Sequence, residues 1–178
     1  MSPDSLKSIV RPEPPLPFSR RIGAYRLLLG ISASVLVLDQ VSKLWIQHRL
    51  PFGTFGSPGA IEIVPGFFNI VHVGNTGAAW SIFTGRSVML AALAALTLVA
   101  IYLWRRALGL RLRITQICFG LLCGGIVGNL IDRIARGHVI DFLDFHFGSY
   151  IFPTFNVADS GICVGVILYL WQSLRHQH

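Results

Sequence analysis

The sequence predicts an all-α polytopic membrane protein with four transmembrane helices and a small β-sheet or cradle on the outer face. Three observations predict it. Hydrophobic residues make up 53% of the 178 and charged residues only 13%, with a mean hydropathy of +0.61, whereas a soluble domain carries about 25% charge. Four apolar stretches approach the roughly 20 residues that a helix needs to cross a bilayer. The basic and acidic residues also segregate along the chain in the alternating way that a four-span topology requires.

The first span runs from about Arg26 to Gln47 and contains Leu27-Leu28-Leu29 and Val35-Leu36-Val37-Leu38. The second runs from about Ser87 to Trp104, the third from Ile114 to Ile131, and the fourth from Phe155 to Trp171. Inside hydrocarbon only helices and closed barrels satisfy every backbone polar group, and these runs lack the alternation of barrel strands. The N-terminal stretch is no cleavable leader, because Arg11-Pro12-Glu13-Pro14-Pro15-Leu16-Pro17 cannot form an apolar helix. Residues 1–22 therefore read as a disordered basic tail, residues 23–172 as one membrane domain, and residues 173–178 as a second tail.

Direction follows from charge. Lys7, Arg11, Arg20, Arg21 and Arg26 precede the first span, Arg105, Arg106, Arg111 and Arg113 join the second to the third, and Arg175 follows the fourth. Those ten of the 15 Lys and Arg share one side, which the positive-inside rule makes cytoplasmic, together with both termini. The net charge of +7 is thus explained by topology, and no nucleic-acid partner is needed. After Glu13 the acids are Asp39, Glu62, Asp132, Asp141, Asp144 and Asp159, all in the outer half of a span or in an outer segment. The chemistry is expected there, in about 48–86 and 132–154.

The first outer segment carries Ile61-Glu62-Ile63-Val64 and Phe67-Phe68-Asn69-Ile70-Val71-His72-Val73, β-branched and aromatic runs broken by Pro65-Gly66. They predict a short hairpin or small sheet on the membrane surface. The run Gly124-Gly125-Ile126-Val127-Gly128 lies within the third span, where small residues let helices approach closely. Cys118, Cys123 and Cys163 have no metal spacing and read as apolar packing residues.

Ionisable groups in or beside a bilayer are functional candidates by default, and four groups stand out. Asp39 and Lys43 are four apart on one helix face and can pair. Asn75-Thr76-Gly77 reads as a turn whose small residues admit another backbone. Asn129, Asp132 and Arg133 share a face at the outer end of the third span, and a hydrogen-bonded network holding the helix end accounts for them. Asn156, after Pro153-Thr154, is a helix N-cap that puts Asp159 at the third helical position.

A helix N-terminus stabilised by its own acid accounts for Asp159 alone. It does not account for Asp141, which sits in the apolar run Val139-Ile140-Asp141-Phe142 with no adjacent base, and for which Asp144 is a competitor. Two close aspartates share one proton and can hydrolyse an amide: one activates water and the protonated partner polarises the carbonyl. The six His show no metal-binding spacing, and no serine is convincingly placed as a nucleophile.

At these residues the chain resembles the lipoprotein signal peptidases (signal peptidase II), bacterial membrane proteases. The resemblance covers roughly 25–172. It rests on Asp39-Gln40-x-x-Lys43, Asn75-x-Gly77-Ala78-Ala79, Gly128-Asn129-x-x-Asp132-Arg133, Val139-Ile140-Asp141-Phe142 and Phe155-Asn156-x-Ala158-Asp159. It implies a four-span aspartic peptidase of the inner membrane with its active site at the outer, periplasmic face. Such an enzyme cleaves diacylglyceryl-modified prolipoproteins just before the lipidated cysteine. The catalytic pair would be Asp141 and Asp159, with Asn129, Asp132, Arg133, Asn156 and Ala158 around it and Asp39, Lys43, Asn75 and Gly77 in structure or substrate contact.

Membrane lipid and cyclic-peptide inhibitors of the globomycin type are implied partners; no metal or cofactor is implied. Trp80 departs from the Phe more usual after Gly-Ala-Ala and is expected to adjust fit without removing activity. The helix N-terminus is expected to favour the anion at Asp159 and leave the shared proton mainly on Asp141. Two other readings remain: a proton-coupled small membrane transporter, which wants an acid near the bilayer midplane, and an inert membrane scaffold.

Overall fold

The computed structural model describes residues 23–56, 59–78 and 82–175. The N-terminal tail, Trp80 and the last three residues, on which expectations were stated above, lie outside them. The element order is α1 (Arg26–Arg49), β1 (Ile61–Val64), β2 (Phe68–Asn75), α2 (Ser87–Leu103), α3 (Arg113–Arg136), β3 (Val139–Phe147), β4 (Tyr150–Ile151) and α4 (Val157–Arg175). Helices α1, α3 and α4 are long and apolar enough to cross a membrane; α2 is apolar but has 17 residues.

The molecule is polar inside and apolar outside. Asp39, Lys43, Asp132 and Asn156 are fully buried, while Val88 is 84% and Ile134 74% exposed. Water would not tolerate that distribution, but lipid does, since tails are as apolar as the side chains they meet.

Helix α3 is the most enclosed of the three long helices, and its glycines are the reason. A Cβ on Gly125 would collide with the Ala158 carbonyl oxygen of α4, and one on Gly128 with the Asp39 carboxylate of α1. With hydrogen in those places α3 wedges between α1 and α4, and polar groups from all three helices meet at one level. Gly137 (φ 76°) then ends α3, its N–H donating to the Arg133 carbonyl, a left-handed cap that only glycine adopts freely. The chain turns there directly into β3.

The four strands form one antiparallel sheet in the order β1-β2-β3-β4. The hairpin read at 61–73 is present, but the sheet is larger than expected: the segment after α3 supplies the long strand β3. The run Val139–Phe142 lacks alternation because it is buried on both faces, so period-two patterning could not reveal it. Register sets Asp141 opposite Val73 and Val139 opposite Asn75. On its other side β3 bridges to Phe155, whose carbonyl accepts from Phe142 N at 3.1 Å and Leu143 N at 2.9 Å. That pairing lays the N-terminus of α4 beside Asp141.

Candidate active site

Asn156 opens α4 as its N-cap. Its Oδ1 accepts from the Asp159 backbone N–H at 2.9 Å, and its own N–H donates to Asp159 Oδ2 at 3.1 Å. This reciprocal capping pair fixes the Asp159 side chain at the helix entrance. Asn156 Nδ2 points the other way and donates to Asp141 Oδ1 at 2.7 Å, with a longer bond to the Ile140 carbonyl at 3.2 Å. One asparagine thus touches both aspartates.

Each carboxylate has a second asparagine. Asn75 Nδ2 donates to Asp141 Oδ2 at 2.9 Å, while Asn75 Oδ1 accepts from Gly77 N at 2.8 Å, which shapes the turn read from the sequence. Asn129 Nδ2 donates to Asp159 Oδ1 at 2.7 Å. Burial, then the neighbouring Asp159 carboxylate, push the Asp141 carboxyl up to about 7, against the opposing pull of Asn75 and Asn156.

Beneath the aspartates lies a buried ionic layer. Lys43 Nζ is 2.8 Å from Asp39 Oδ2 and 2.8 Å from Asp132 Oδ2, and it donates to Asn129 Oδ1 at 3.0 Å. Asp39 Oδ1 accepts from Ala158 N at 3.0 Å, so α1 grips the first turn of α4. Asp132 accepts from Arg136 Nη1 at 2.8 Å and from Ile140 N at 3.2 Å, tying α3 to the start of β3. Two carboxylates and two cations balance in charge, and every one of the four is hydrogen-bonded, as burial in low dielectric demands.

The predicted trio on α3 serves three targets: Asn129 reaches Asp159, Asp132 reaches Lys43, and Arg133 Nη2 donates to the Gly77 carbonyl at 2.9 Å. Asp144 does not join them. It is held by His146 Nε2 at 2.7 Å and by Asn69 Nδ2 at 3.3 Å, away from the Asp141 side of the strand. Sequence reasoning left Arg136 and Gln40 without a role. Arg136 follows Asp132 by four, the same helical spacing that revealed Asp39 and Lys43. Gln40 Nε2 bonds both Asp39 Oδ2 and Asp132 Oδ1, at 3.1 and 3.2 Å.

Asp141 and Asp159 line one cleft of about 430 Å³, with Asn75, Asn129 and Arg133 among its other polar walls and Phe152, Phe155 and Ile162 among its apolar ones. A second hollow of about 430 Å³, lined by Phe55, Val73 and Ile151, shares Asn75, Ala78 and Asp141 with it. Among the described residues no cluster of His, Cys, Asp and Glu could hold a metal ion.

A family model described as signal peptidase (SPase) II matches residues 31–175. The chain belongs to the signal peptidase II family. It is therefore a signal peptidase, a protease, in a multi-pass bacterial membrane protein, and the transporter and scaffold readings fall away. The lipoprotein signal peptidase of Burkholderia vietnamiensis (strain G4 / LMG 22486) is 42% identical over 158 residues, covering 86% of this chain and 90% of its own. That of Janthinobacterium sp. (strain Marseille) is 38% identical over 156 residues, with coverages of 83% and 87%. Among solved structures, a bacterial membrane enzyme determined by the in meso method at 2.3 Å superposes with a TM-score of 0.75 at 33% identity. It covers 84% of this chain and 88% of its own. The signal peptidase II motifs quoted above converge in space: every described residue of those motifs that was named as a site candidate lines the aspartate cleft, belongs to the ionic layer or is hydrogen-bonded to a member of one of them.

Proposed function

We propose that this signal peptidase is an aspartic endopeptidase that removes the signal peptide from diacylglyceryl-modified prolipoproteins, cutting just before the lipidated cysteine. The observation that carries the reading is the cleft in which Asp141 and Asp159 are bridged by Asn156. Asp159 is the general base: as an anion it has donors on both oxygens, Asn129 Nδ2 and the Asn156 N–H, and it sits on the first turn of α4. Asp141, pushed up to about 7, keeps the shared proton at neutral pH.

In the reaction Asp159 takes a proton from a water between the carboxyls, and the resulting hydroxide attacks the scissile carbonyl. The Asp141 proton stabilises the oxyanion. Collapse of the tetrahedral intermediate breaks the C–N bond as the proton held by Asp159 passes to the leaving amine, and Asp141 recovers its own.

Four crossings are proposed. The 17 residues of α2 sit at the lower bound for a span, and its direction completes a topology with both termini cytoplasmic and the aspartates at the outer face of the inner membrane. The cleft supports the substrate class: Ile162 and Cys163 carry its wall onto the lipid-facing side of α4, where an apolar signal helix or acyl chains could enter laterally. A cyclic peptide of the globomycin type would occupy the same cleft and compete with substrate.

The test is cleavage of a diacylglyceryl-modified prolipoprotein in detergent by wild type, Asp141→Asn and Asp159→Asn. The reading requires that wild type cuts before the lipidated cysteine and that both folded variants lose at least about 10³-fold in rate. Near-wild-type cutting by either variant refutes the pair.

A further inference from the structure

The end of the molecule opposite the aspartates carries a second polar hollow. It has a volume of about 470 Å³ and is lined by Arg105, Arg106, Gly109 and Arg111, in the turn that joins α2 to α3. Helix α3 runs from Arg113, beside this turn, to Asn129, which bonds Asp159, so at 1.5 Å per residue the turn lies roughly 25 Å from the aspartates.

Three arginines line it, without an acidic counterpart among the described residues. Every side-chain carboxylate among the described residues belongs to the sheet or to helix positions toward the sheet end. Arg105 is steadied by its own turn: Nη1 donates to the Tyr102 carbonyl at 2.6 Å, and its guanidinium carbon lies 4.3 Å from the Tyr102 ring centroid. Among the described residues Arg106 and Arg111 have no side-chain hydrogen bond or ion pair.

The turn is packed onto α3. Leu110 is buried against Cys118 and Phe119, and its N–H donates to the Arg105 carbonyl at 3.1 Å. Helix α3 begins at Arg113 with Leu112 as N-cap, without a side-chain cap and with no acid in its first turn. Its positive dipole end therefore adds to the field of the arginines.

The surroundings select the ligand. Tyr102, Leu103, Trp104 and Leu112 flank the hollow, and each is more than half exposed. An aromatic and aliphatic collar beside a cationic recess is the composition of a membrane–water interface, where acyl chains meet headgroups. We infer that the Arg105–Arg106–Arg111 hollow binds the phosphodiester of an anionic phospholipid headgroup, with the acyl chains lying against Tyr102, Trp104 and Leu112. The site is independent of the peptidase chemistry and does not rest on the aspartic reading.

The shared chemistry is a phosphate oxyanion, so the test separates lipid from free phosphate. Full-length protein in a non-ionic detergent is titrated with phosphatidylglycerol, with zwitterionic phosphatidylcholine and with inorganic phosphate, and bound species are counted by native mass spectrometry. The comparison variants are the triple glutamine variant (Arg105→Gln, Arg106→Gln, Arg111→Gln) and the matching triple lysine variant, which keeps the charge that directs insertion.

Wild type should prefer phosphatidylglycerol to phosphatidylcholine by at least about tenfold, and millimolar inorganic phosphate should not displace it. An arginine near an anionic surface contributes about fivefold, so the glutamine variant should lose most of a roughly 100-fold effect. The lysine variant should keep part of the preference, because a point charge replaces bidentate recognition. Peptidase rate and detergent-phase Tm should stay near wild type in the lysine variant, which certifies its fold. The proposal is overturned if wild type shows no preference for the anionic lipid, if inorganic phosphate displaces the lipid, or if the glutamine variant binds it as tightly as wild type.

Discussion

Asp141 and Asp159 come from a strand and a helix, yet both are fastened to Asn156, whose amide donates to Asp141 Oδ1 at 2.7 Å and whose oxygen accepts from Asp159 N at 2.9 Å. The asparagine fixes the positions of both carboxyl groups. Replacing Asn156 with Ala removes the N-cap and leaves Asp141 with one fewer donor. Loss of a cap costs about 1 kcal/mol and loss of a hydrogen bond about 1 more. We expect a Tm drop of several degrees and a fall in kcat of at least about 10²-fold. A variant that keeps its rate would remove Asn156 from the machinery.

The pH behaviour follows from Asp141. Its carboxyl titrates at about 7 against an ordinary 3.8, so between those values the folded protein holds a proton that the unfolded chain has lost. Stability contributed by this group is therefore present at acid pH, declines as pH rises from about 4 to 7, and is flat above. The whole effect is on the order of 4 kcal/mol. Wild-type Tm, measured in detergent from pH 5 to 8, should fall relative to Asp141→Asn, whose profile lacks this contribution. Under the aspartic reading kcat/KM should also decline above pH 7, as the last shared proton leaves the pair.

Lys43 bridges two buried acids, lying 2.8 Å from each of Asp39 and Asp132. Lys43→Met keeps the volume but leaves like charges facing each other in low dielectric. Breaking a buried pair costs about 3–5 kcal/mol. The expected result is a large loss of Tm or failure to accumulate in the membrane. A Tm within a degree or two of wild type would mean that Arg136 alone balances the two acids.

Gly125 lets α4 touch α3, because any Cβ there meets the Ala158 carbonyl oxygen. Backbone cannot move aside cheaply, so Gly125→Ala should displace the first turn of α4 and Asp159 with it. Overpacking of this kind costs about 1–3 kcal/mol. The rate should fall more than the stability, measured by paired kcat and Tm values; unchanged kinetics would mean that the helices separate without moving the site.

Asp144 tests the assignment from the other side. Although an aspartate only three residues from Asp141, it is engaged by His146 and Asn69. Asp144→Asn should cleave within about threefold of wild type, as an acid outside the reacting centre would. A rate as low as that of Asp141→Asn would reopen the assignment of Asp141 to the pair.

The sequence by itself determined four apolar helices, three of them long enough to cross a membrane, because length and hydropathy are local properties and glycine spacing marks close packing. It also determined the Asp39–Lys43 pair and the Asn156–Asp159 cap, since both are local contacts within one helical turn. Only the tertiary structure decided which acids meet. Asp132 joins Lys43 across two helices, Asp141 reaches Asn75 through strand register, and β3 escaped notice because a strand buried on both faces has no alternation. The physical reason is range: local periodicity records what a residue does with its own helix or strand. The partner of a buried charge is chosen by which other element the packing brings within 3 Å of it.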